Sequence, residues 1–264
     1  MLDPQQVFSA GEYARAAREA IAEISARGHL PIIAGGTGFY LRALLEGLPD
    51  LPARDESVRA RLAAREQRKA GSLYRLLARL DPNSAAGIHP RDAQKLVRAL
   101  EVRMLTRGPR PASAVAESLR GYTTIKIGLS PDRAVLYEVL DARAREMFRA
   151  GLVEEVRGLL ERSSGEEKPF ESLGYRQALA CLRGSMTVEE AIASTALETR
   201  QYAKRQWTWF RRDPDVIWLN GFGDAPEVIA AARSLIREAR SNQPRPSNTP
   251  RSSKTPRPSN EPRP

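Results

Sequence analysis

Residues 35–38, Gly-Gly-Thr-Gly, have the composition of a loop that binds phosphate. An apolar run at 30–34 precedes them, and a helix-like pattern follows. A buried parallel strand that passes through a glycine turn into a helix leaves backbone N–H groups open to an anion. Gly35, Gly36 and Gly38 would let the backbone approach it, and Thr37 would add a hydroxyl at the rim. Taken alone, the pattern fits a glycine-rich turn without a ligand about as well.

A second candidate is the segment 199–212, which carries five cations and no acidic residue. On a helical projection three of the cations share one side, and three aromatic residues lie on another. An aromatic side that packs would hold the cations rigidly, as contact with a phosphate backbone requires. The alternative is an amphipathic surface helix without a ligand, but the charge density favours RNA. The aligned cations are Arg200, Lys204 and Arg211, and the aromatic residues are Tyr202, Trp209 and Phe210.

A third basic surface is predicted on a helix that begins at Asp92 and ends near Arg107. Its apolar residues Leu96, Val97, Leu100 and Met104 fall on one arc at about 100° per residue. The opposite face would be either a solvated surface or a row of phosphate contacts. That face consists of Arg91, Gln94, Lys95 and Arg98.

Helices and strands must position these residues, and their order predicts an α/β fold. Predicted strands are 30–34, 123–129 and 216–219. A capping box at Ser9 and Glu12 predicts the first helix, and Pro131 is expected at the first helical position of another. The predicted helices are 9–27, 38–46, several between 55 and 120, two that meet near Gly151, 187–212 and 225–240.

The segments group into a core and a lobe. Residues 1–50 and 121–240 are expected to form an incomplete α/β core, and residues 51–120 a helical insertion lobe after a proline-punctuated boundary. Residues 241–264, rich in Pro, Ser and Arg, have no core-forming side chain and are expected to be disordered. That tail would either add weak attraction to RNA or be an inert extension.

The amino-acid composition limits the classes of partner and site that are expected for this chain. The net charge is +10 and the pI is about 10.1, which favours a polyanion, with nucleic acid ahead of acidic lipid. One cysteine, Cys181, excludes a disulfide framework, and His29 and His89 are too far apart in sequence to suggest a metal cluster. No apolar stretch approaches ~20 residues, so no membrane span is expected. A reduced cytoplasm fits best.

Five motifs in order resemble those of bacterial tRNA dimethylallyltransferases (tRNA isopentenyltransferases). Residues 35–40, Gly-Gly-Thr-Gly-Phe-Tyr, resemble the family's GGTGLY signature. Residues 44–48 and the segment at Val58 follow it. The stretches 81–102, with Ile-His-Pro-Arg-Asp at 88–92, and 174–177, Gly-Tyr-Arg-Gln, continue the similarity. The segment 199–211 completes a collinear match from about residue 3 to 220.

This resemblance implies a P-loop-NTPase-like parallel sheet core with a helical insertion lobe. It implies transfer of dimethylallyl from dimethylallyl diphosphate to N6 of the adenosine 3′ of the anticodon. The base would be flipped into a channel near Thr37. It also implies a cytoplasmic monomer that binds the tRNA anticodon stem-loop, with Mg2+ as cofactor. No metal ligand is expected within this chain.

The resemblance further implies a set of tRNA contacts spread over four segments. The first two are Arg59 and the run Gln94, Lys95, Leu96, Val97 and Arg98. The third is the loop 171–176, with Gly174, Tyr175 and Arg176. The fourth comprises Arg200, Lys204, Arg205, Gln206, Trp207, Thr208, Trp209, Phe210 and Arg211.

Two departures from the family qualify the resemblance. The family begins with a P-loop of the form GPTxxGK followed by Ser or Thr, and then an Asp-Ser segment with the general base. Residues 1–264 contain neither, so by themselves they are expected to show no prenyl transfer. The other departure is Gly87, where the family usually has arginine.

Three interpretations follow. The chain is a tRNA prenyltransferase whose front segment is encoded further upstream or separately, or it is a truncated non-catalytic remnant that binds tRNA. A third interpretation is a small-molecule P-loop kinase, but it lacks the P-loop and leaves the basic helix unexplained. DNA upstream of Met1 separates the first two, since an in-frame P-loop favours the enzyme and a stop codon favours the remnant.

Overall fold

The computed structural model describes residues 5–6, 8–49, 51–106 and 118–241. These residues form a helix-rich α/β structure with one small parallel sheet. Contacts divide the chain into two units, residues 1–122 with 151–187 and residues 123–150 with 188–264. The predicted tail lies outside the described residues apart from Ser241.

In the first unit, the start of the chain folds as two packed helices. They are α1 (Ala10–Ala26) and α2 (Gly38–Leu45). The predicted capping box begins α1, since the Ser9 hydroxyl accepts from the Glu12 N–H at 3.3 Å and the Glu12 carboxylate accepts from the Ser9 N–H at 2.6 Å. Ala14, Ala43 and Leu44 are buried where the helices meet. Both predicted helices are therefore confirmed.

The prediction of a buried strand at 30–34 is wrong. Residues 29–37 have no regular structure, and Leu30, Ile32 and Ile33 are 49%, 77% and 40% exposed. A strand needs partners that satisfy its N–H and C=O groups and neighbours that cover its faces. Within the described ranges no strand pairs with this segment, so its apolar composition alone does not make it a strand.

The segment predicted to form a helical lobe is helical between residues 56 and 105. It contains α3 (Glu56–Arg68), α4 (Ser72–Leu80), α5 (Pro82–Ala86) and α6 (Ala93–Leu105). Asp92 begins α6 by accepting from the Lys95 N–H at 3.1 Å. The lobe has its own core, which consists of Val58, Leu62, Leu73, Leu77, Ala85, Leu96 and Leu100. Met104, expected on the same apolar arc, is 46% exposed.

The second unit combines a two-stranded parallel sheet with three helices. Strand β1 (Lys126–Leu129) pairs with β2 (Val216–Leu219), so that Lys126 faces Val216 and Leu129 faces Leu219. The helices are α7 (Arg133–Arg149), α10 (Val188–Phe210) and α11 (Pro226–Ser241). The first unit holds the two that come between, α8 (Leu152–Leu160) and α9 (Tyr175–Leu182).

Two boundaries differ from expectation. Strand β1 begins at Lys126, three residues later than predicted, because 122–125 are not paired with β2. Pro131 is not the first residue of α7, because Asp132 is the N-cap and accepts from the Ala134 and Val135 N–H groups. The predicted break at Gly151 is confirmed, with φ of +99° there.

Gly128 is where the sheet tolerates no side chain. A Cβ at this position would lie 2.7 Å from Trp218 Cε3 and 2.9 Å from Val216 Cγ1. We expect Gly128→Ala to lower the free energy of unfolding by about 1–3 kcal/mol, the usual cost of overpacking. Gly158→Ala is the control, because no atom lies within 4 Å of its added Cβ in α8 and alanine favours a helix. Denaturant unfolding that ranks the two variants equally would contradict this expectation.

Candidate nucleic-acid interface

The glycine-rich loop leads into α2. Thr37 is the N-cap residue, and its carbonyl oxygen accepts from the Tyr40 N–H at 2.9 Å and the Leu41 N–H at 3.2 Å. Its side chain makes no capping hydrogen bond and is exposed. No atom lies within 4 Å of a Cβ added to Gly35, so the fold itself does not demand glycine there. The loop thus presents a hydroxyl at a helix N-terminus, where an anion is favoured.

Packing against α1 fixes the loop. The Tyr13 and Tyr40 rings lie 4.9 Å apart between centroids, and the Tyr40 hydroxyl donates to the Phe8 carbonyl at 3.1 Å. Ala43 and Leu44, at the other end of α2, are buried. Since α2 cannot shift without breaking these contacts, the backbone at Thr37 has a defined position relative to α1.

In the helical lobe, two predicted RNA-contacting arginines converge on one carboxylate. Arg59 donates from Nε and Nη2 to Glu101 Oε1 and Oε2 at 2.8 and 2.9 Å. Arg98 Nη1 donates to Glu101 Oε2 at 2.6 Å, and the Asp55 N–H donates to Oε1 at 2.8 Å. The Glu101 side chain is fully buried. Sequence reasoning missed Glu101. Its pairing with Arg59 spans 42 residues, but its i,i+3 spacing from Arg98 on one helix was a local signal that could have found it.

The charge state of this cluster is fixed at neutral pH. Burial alone would raise the pKa of Glu101, but the hydrogen bonds from Arg59 and Arg98 outweigh it and lower the pKa to about 2. The hydrogen bond to Glu101 also raises the pKa of Arg59. Two cations and one anion therefore remain charged together.

Other members of the predicted run at 94–98 differ in exposure. Gln94 and Lys95 are exposed, and Lys95 Nζ pairs with Asp92 at 2.9 Å. Leu96 is 1% exposed and belongs to the lobe core, and Val97 packs against that core. The side chains of Gln94 and Lys95 can therefore reach an external ligand, whereas that of Leu96 supports the helix from inside.

The loop 171–176 begins α9 in an unusual conformation. Gly174 has φ of +90°, which favours glycine, and its N–H donates to the buried Gln177 Oε1 at 3.0 Å. The Tyr175 hydroxyl donates to Glu155 of α8, and this hydrogen bond raises the pKa of Tyr175 to about 12. Arg176 is exposed beside it. The loop thus holds a neutral, oriented phenol next to a cation.

Helix α10 in the second unit carries the basic aromatic segment. Arg200 is held rather than exposed, because its Nη1 donates to Asp141 at 3.0 Å and its guanidinium lies 5.7 Å from the Tyr137 ring centroid. Lys204 is exposed, and the Thr208 hydroxyl donates to its carbonyl at 2.9 Å. Arg200 and Lys204, which were expected to act alike, are therefore in different environments.

The expectation that the aromatic side of α10 packs inside is wrong for two rings. Tyr202 is 38% exposed and Trp209 is 42% exposed, while Trp207, Phe210 and Gln206 are half-buried. Cations cover ring faces instead, since Arg205 lies 5.6 Å from the Tyr202 centroid and Arg211 lies 4.2 Å from that of Trp207. Exposed rings beside cations are suited to unpaired RNA bases and their phosphates.

The described part of the chain contains no group of three or more His, Cys, Asp or Glu side chains that could hold a metal ion. Within the same part of the chain, no helix has both the length and the apolar composition needed to cross a membrane.

Comparison with known proteins gives consistent matches. The family model described as IPP transferase matches residues 1–213. A tRNA dimethylallyltransferase of Solibacter usitatus (strain Ellin6076) is 58% identical over 237 residues, covering 88% of this chain and 76% of that protein. One from Koribacter versatilis (strain Ellin345) is 48% identical, covering 90% and 78%. The solved tRNA isopentenylpyrophosphate transferase from Bacillus halodurans has a TM-score of 0.61 and 32% identity, covering 91% and 77%.

Proposed function

Because the chain belongs to the IPP transferase family, we propose that it transfers a dimethylallyl group from dimethylallyl diphosphate to tRNA. The acceptor is N6 of the adenosine 3′ of the anticodon, as the sequence motifs imply. The new bond joins N6 to the allylic carbon, the bond from that carbon to oxygen breaks, and diphosphate leaves. The proton on N6 passes to a general base.

One observation carries the RNA part of this proposal. Between residues 202 and 211, the exposed rings of Tyr202 and Trp209 lie among cations in the last turns of α10 and the turn that follows it. Phosphates would pair with the cations, and unstacked bases would stack on the rings. This is the usual division of contacts with single-stranded loops. The anticodon stem-loop offers both.

The glycine-rich loop supports the chemical part. Thr37 is exposed at the start of α2 with no capping bond on its hydroxyl. It can orient the flipped adenosine or donate to the departing diphosphate, whose developing charge is favoured near a helix N-terminus. Enzymes of this family generally use a metal cofactor, and we assign Mg2+ to the diphosphate. The described residues include no group of three or more His, Cys, Asp or Glu side chains that could hold it, and no step is assigned to the ion.

We propose that the enzyme acts in the cytoplasm and as a monomer. Expression of this chain with a family P-loop segment joined in front of it, in a bacterium without its own tRNA prenyltransferase, tests the activity. We expect isopentenyladenosine to appear in digests of its tRNA. Stem-loop binding without the modified nucleoside would favour the non-catalytic remnant, which no feature of the described geometry favours.

The cations of the segment 199–212 provide a separate test by salt dependence. Lys204→Ala and Arg211→Ala should each lower the slope of log K against log salt by about one for stem-loop binding, since each removes one phosphate contact. Arg200→Ala should change the slope less, because Asp141 already neutralises this cation. Filter binding at several salt concentrations measures the slopes. Equal slopes for all three variants and the unaltered protein would mean that the cations form only a solvated face.

A further inference from the structure

We propose that Glu101 is a positioning residue that orients Arg59 and Arg98 toward the phosphates of the bound tRNA. This inference rests on the proposed function, because it takes tRNA as the substrate. Glu101 itself is buried and would not touch the RNA. Its contribution would be to hold two cations in one arrangement before the substrate arrives.

The geometry leaves the arginines little freedom. Arg59 uses two neighbouring nitrogens on the two oxygens of Glu101, a fork that fixes the guanidinium plane. Arg98 bridges Glu101 and the Pro52 carbonyl, at 2.6 and 2.9 Å. The two guanidiniums are therefore tied to each other through a single carboxylate and to the segment that precedes α3.

The two guanidiniums remain accessible to a ligand although both are paired with Glu101. The Arg59 and Arg98 side chains are 25% and 34% exposed, while Glu101 is 0% exposed. The anion is inside and the cations reach the surface, so the two guanidiniums carry one more charge than Glu101 neutralises, and Glu56 also attracts Arg59. An arginine already ordered loses less side-chain freedom when a phosphate binds.

Glu66 offers a matched control in the same lobe. Its carboxylate accepts from the Gly71 N–H at 2.5 Å, the Leu73 N–H at 2.9 Å and the Ser72 hydroxyl at 3.1 Å. These bonds join α3 to α4, and none of them comes from an arginine. Glu66→Gln therefore removes a structural carboxylate without releasing a cation.

The experiment compares the unaltered protein with Glu101→Gln and Glu66→Gln. Fluorescence anisotropy measures binding of an adenosine-containing anticodon stem-loop and of an unrelated hairpin of equal length, and thermal unfolding measures Tm. We expect Glu101→Gln to lower the preference for the stem-loop about 5- to 20-fold, since guanidiniums held in one arrangement match the backbone shape of that loop, whereas mobile ones attract any phosphate equally. Its affinity for the unrelated hairpin should not fall, because the net charge becomes more positive. Glu66→Gln should lower Tm and keep the preference.

A second variant serves if Glu101→Gln does not fold. Arg59→Lys keeps the charge but cannot form the fork, so it should also lower the stem-loop preference. Arg61→Lys is its control, because Arg61 is exposed on the same helix.

The two ways of failing are distinct. If both Glu101→Gln and Arg59→Lys keep the preference for the stem-loop, or if the one that folds keeps it, the positioning role of Glu101 is overturned. The proposed function is not affected by that result. No preference for the stem-loop in the unaltered protein would overturn the proposed function, and this proposal with it.

Discussion

Replacing Thr37 with valine is expected to lower kcat/KM for prenyl transfer to tRNA about 10- to 1,000-fold. This is the usual loss when one hydrogen bond to a charged or transition-state group disappears. Valine has nearly the same shape but cannot donate. Stability should change little, since Thr37 is exposed and caps α2 through its carbonyl rather than its hydroxyl.

The measurement uses this chain with a family P-loop segment joined in front of it, with labelled dimethylallyl diphosphate and an anticodon stem-loop. Thr106→Val is the control, because the Thr106 hydroxyl donates to the Val102 carbonyl at 2.6 Å and belongs to the end of α6. Unchanged kinetics in Thr37→Val, with the control also unchanged, would reduce Thr37 to a turn residue.

Replacing Glu101 with glutamine is expected to lower the free energy of unfolding by about 3 kcal/mol at pH 7. Breaking a buried ion pair by removing one partner leaves the other charges uncompensated, and the shift of the Glu101 pKa from 4.5 to about 2 gives a similar figure. Urea unfolding of the two proteins measures the difference. A loss no larger than that in Gln94→Ala, a change at an exposed position of α6, would contradict the expectation.

Acid should erase this difference. The pKa of Glu101 is lowered in the folded state, so its contribution is fully present above about pH 4.5 and is lost as the pH falls toward 2. The unaltered protein and Glu101→Gln should therefore differ most near neutral pH and converge near pH 2. A difference independent of pH across this range would show that the carboxylate charge is not responsible.

Local sequence signals predicted the helices well. Ser9 with Glu12, Asp92 and the glycine at 151 each mark a helix end that depends on residues a few positions away. The strand at 30–34 could not be excluded in that way, because an apolar run becomes a strand only when other strands pair with it. Strand pairing is a long-range property, and the sequence of the segment does not contain it.

The sequence predicted the cations of the candidate site but not the ion pairs that these cations form. Arg59, Arg98 and Arg200 were named from charge and motif, but their acidic partners were not. Glu101 lies 42 residues from Arg59, and Asp141 lies 59 residues from Arg200. Arg98 is the exception, since it lies three residues from Glu101 on one helix and this pair was predictable from the spacing. Which cations are neutralised and which reach the surface depends on these distant carboxylates, so charge density alone overstates the number of free cations.

The pairing of β1 with β2 has a consequence for synthesis on the ribosome. Lys126 pairs with Val216, so each residue of β1 is made about 90 residues before its partner. At about 5–20 residues per second, β1 waits roughly 5–18 seconds for β2. Leu129 is 45% exposed even in the finished sheet, and before β2 emerges the strand also has open backbone groups. The nascent chain is therefore expected to recruit holdase chaperones in this interval, and slowing translation between the two strands should increase its aggregation.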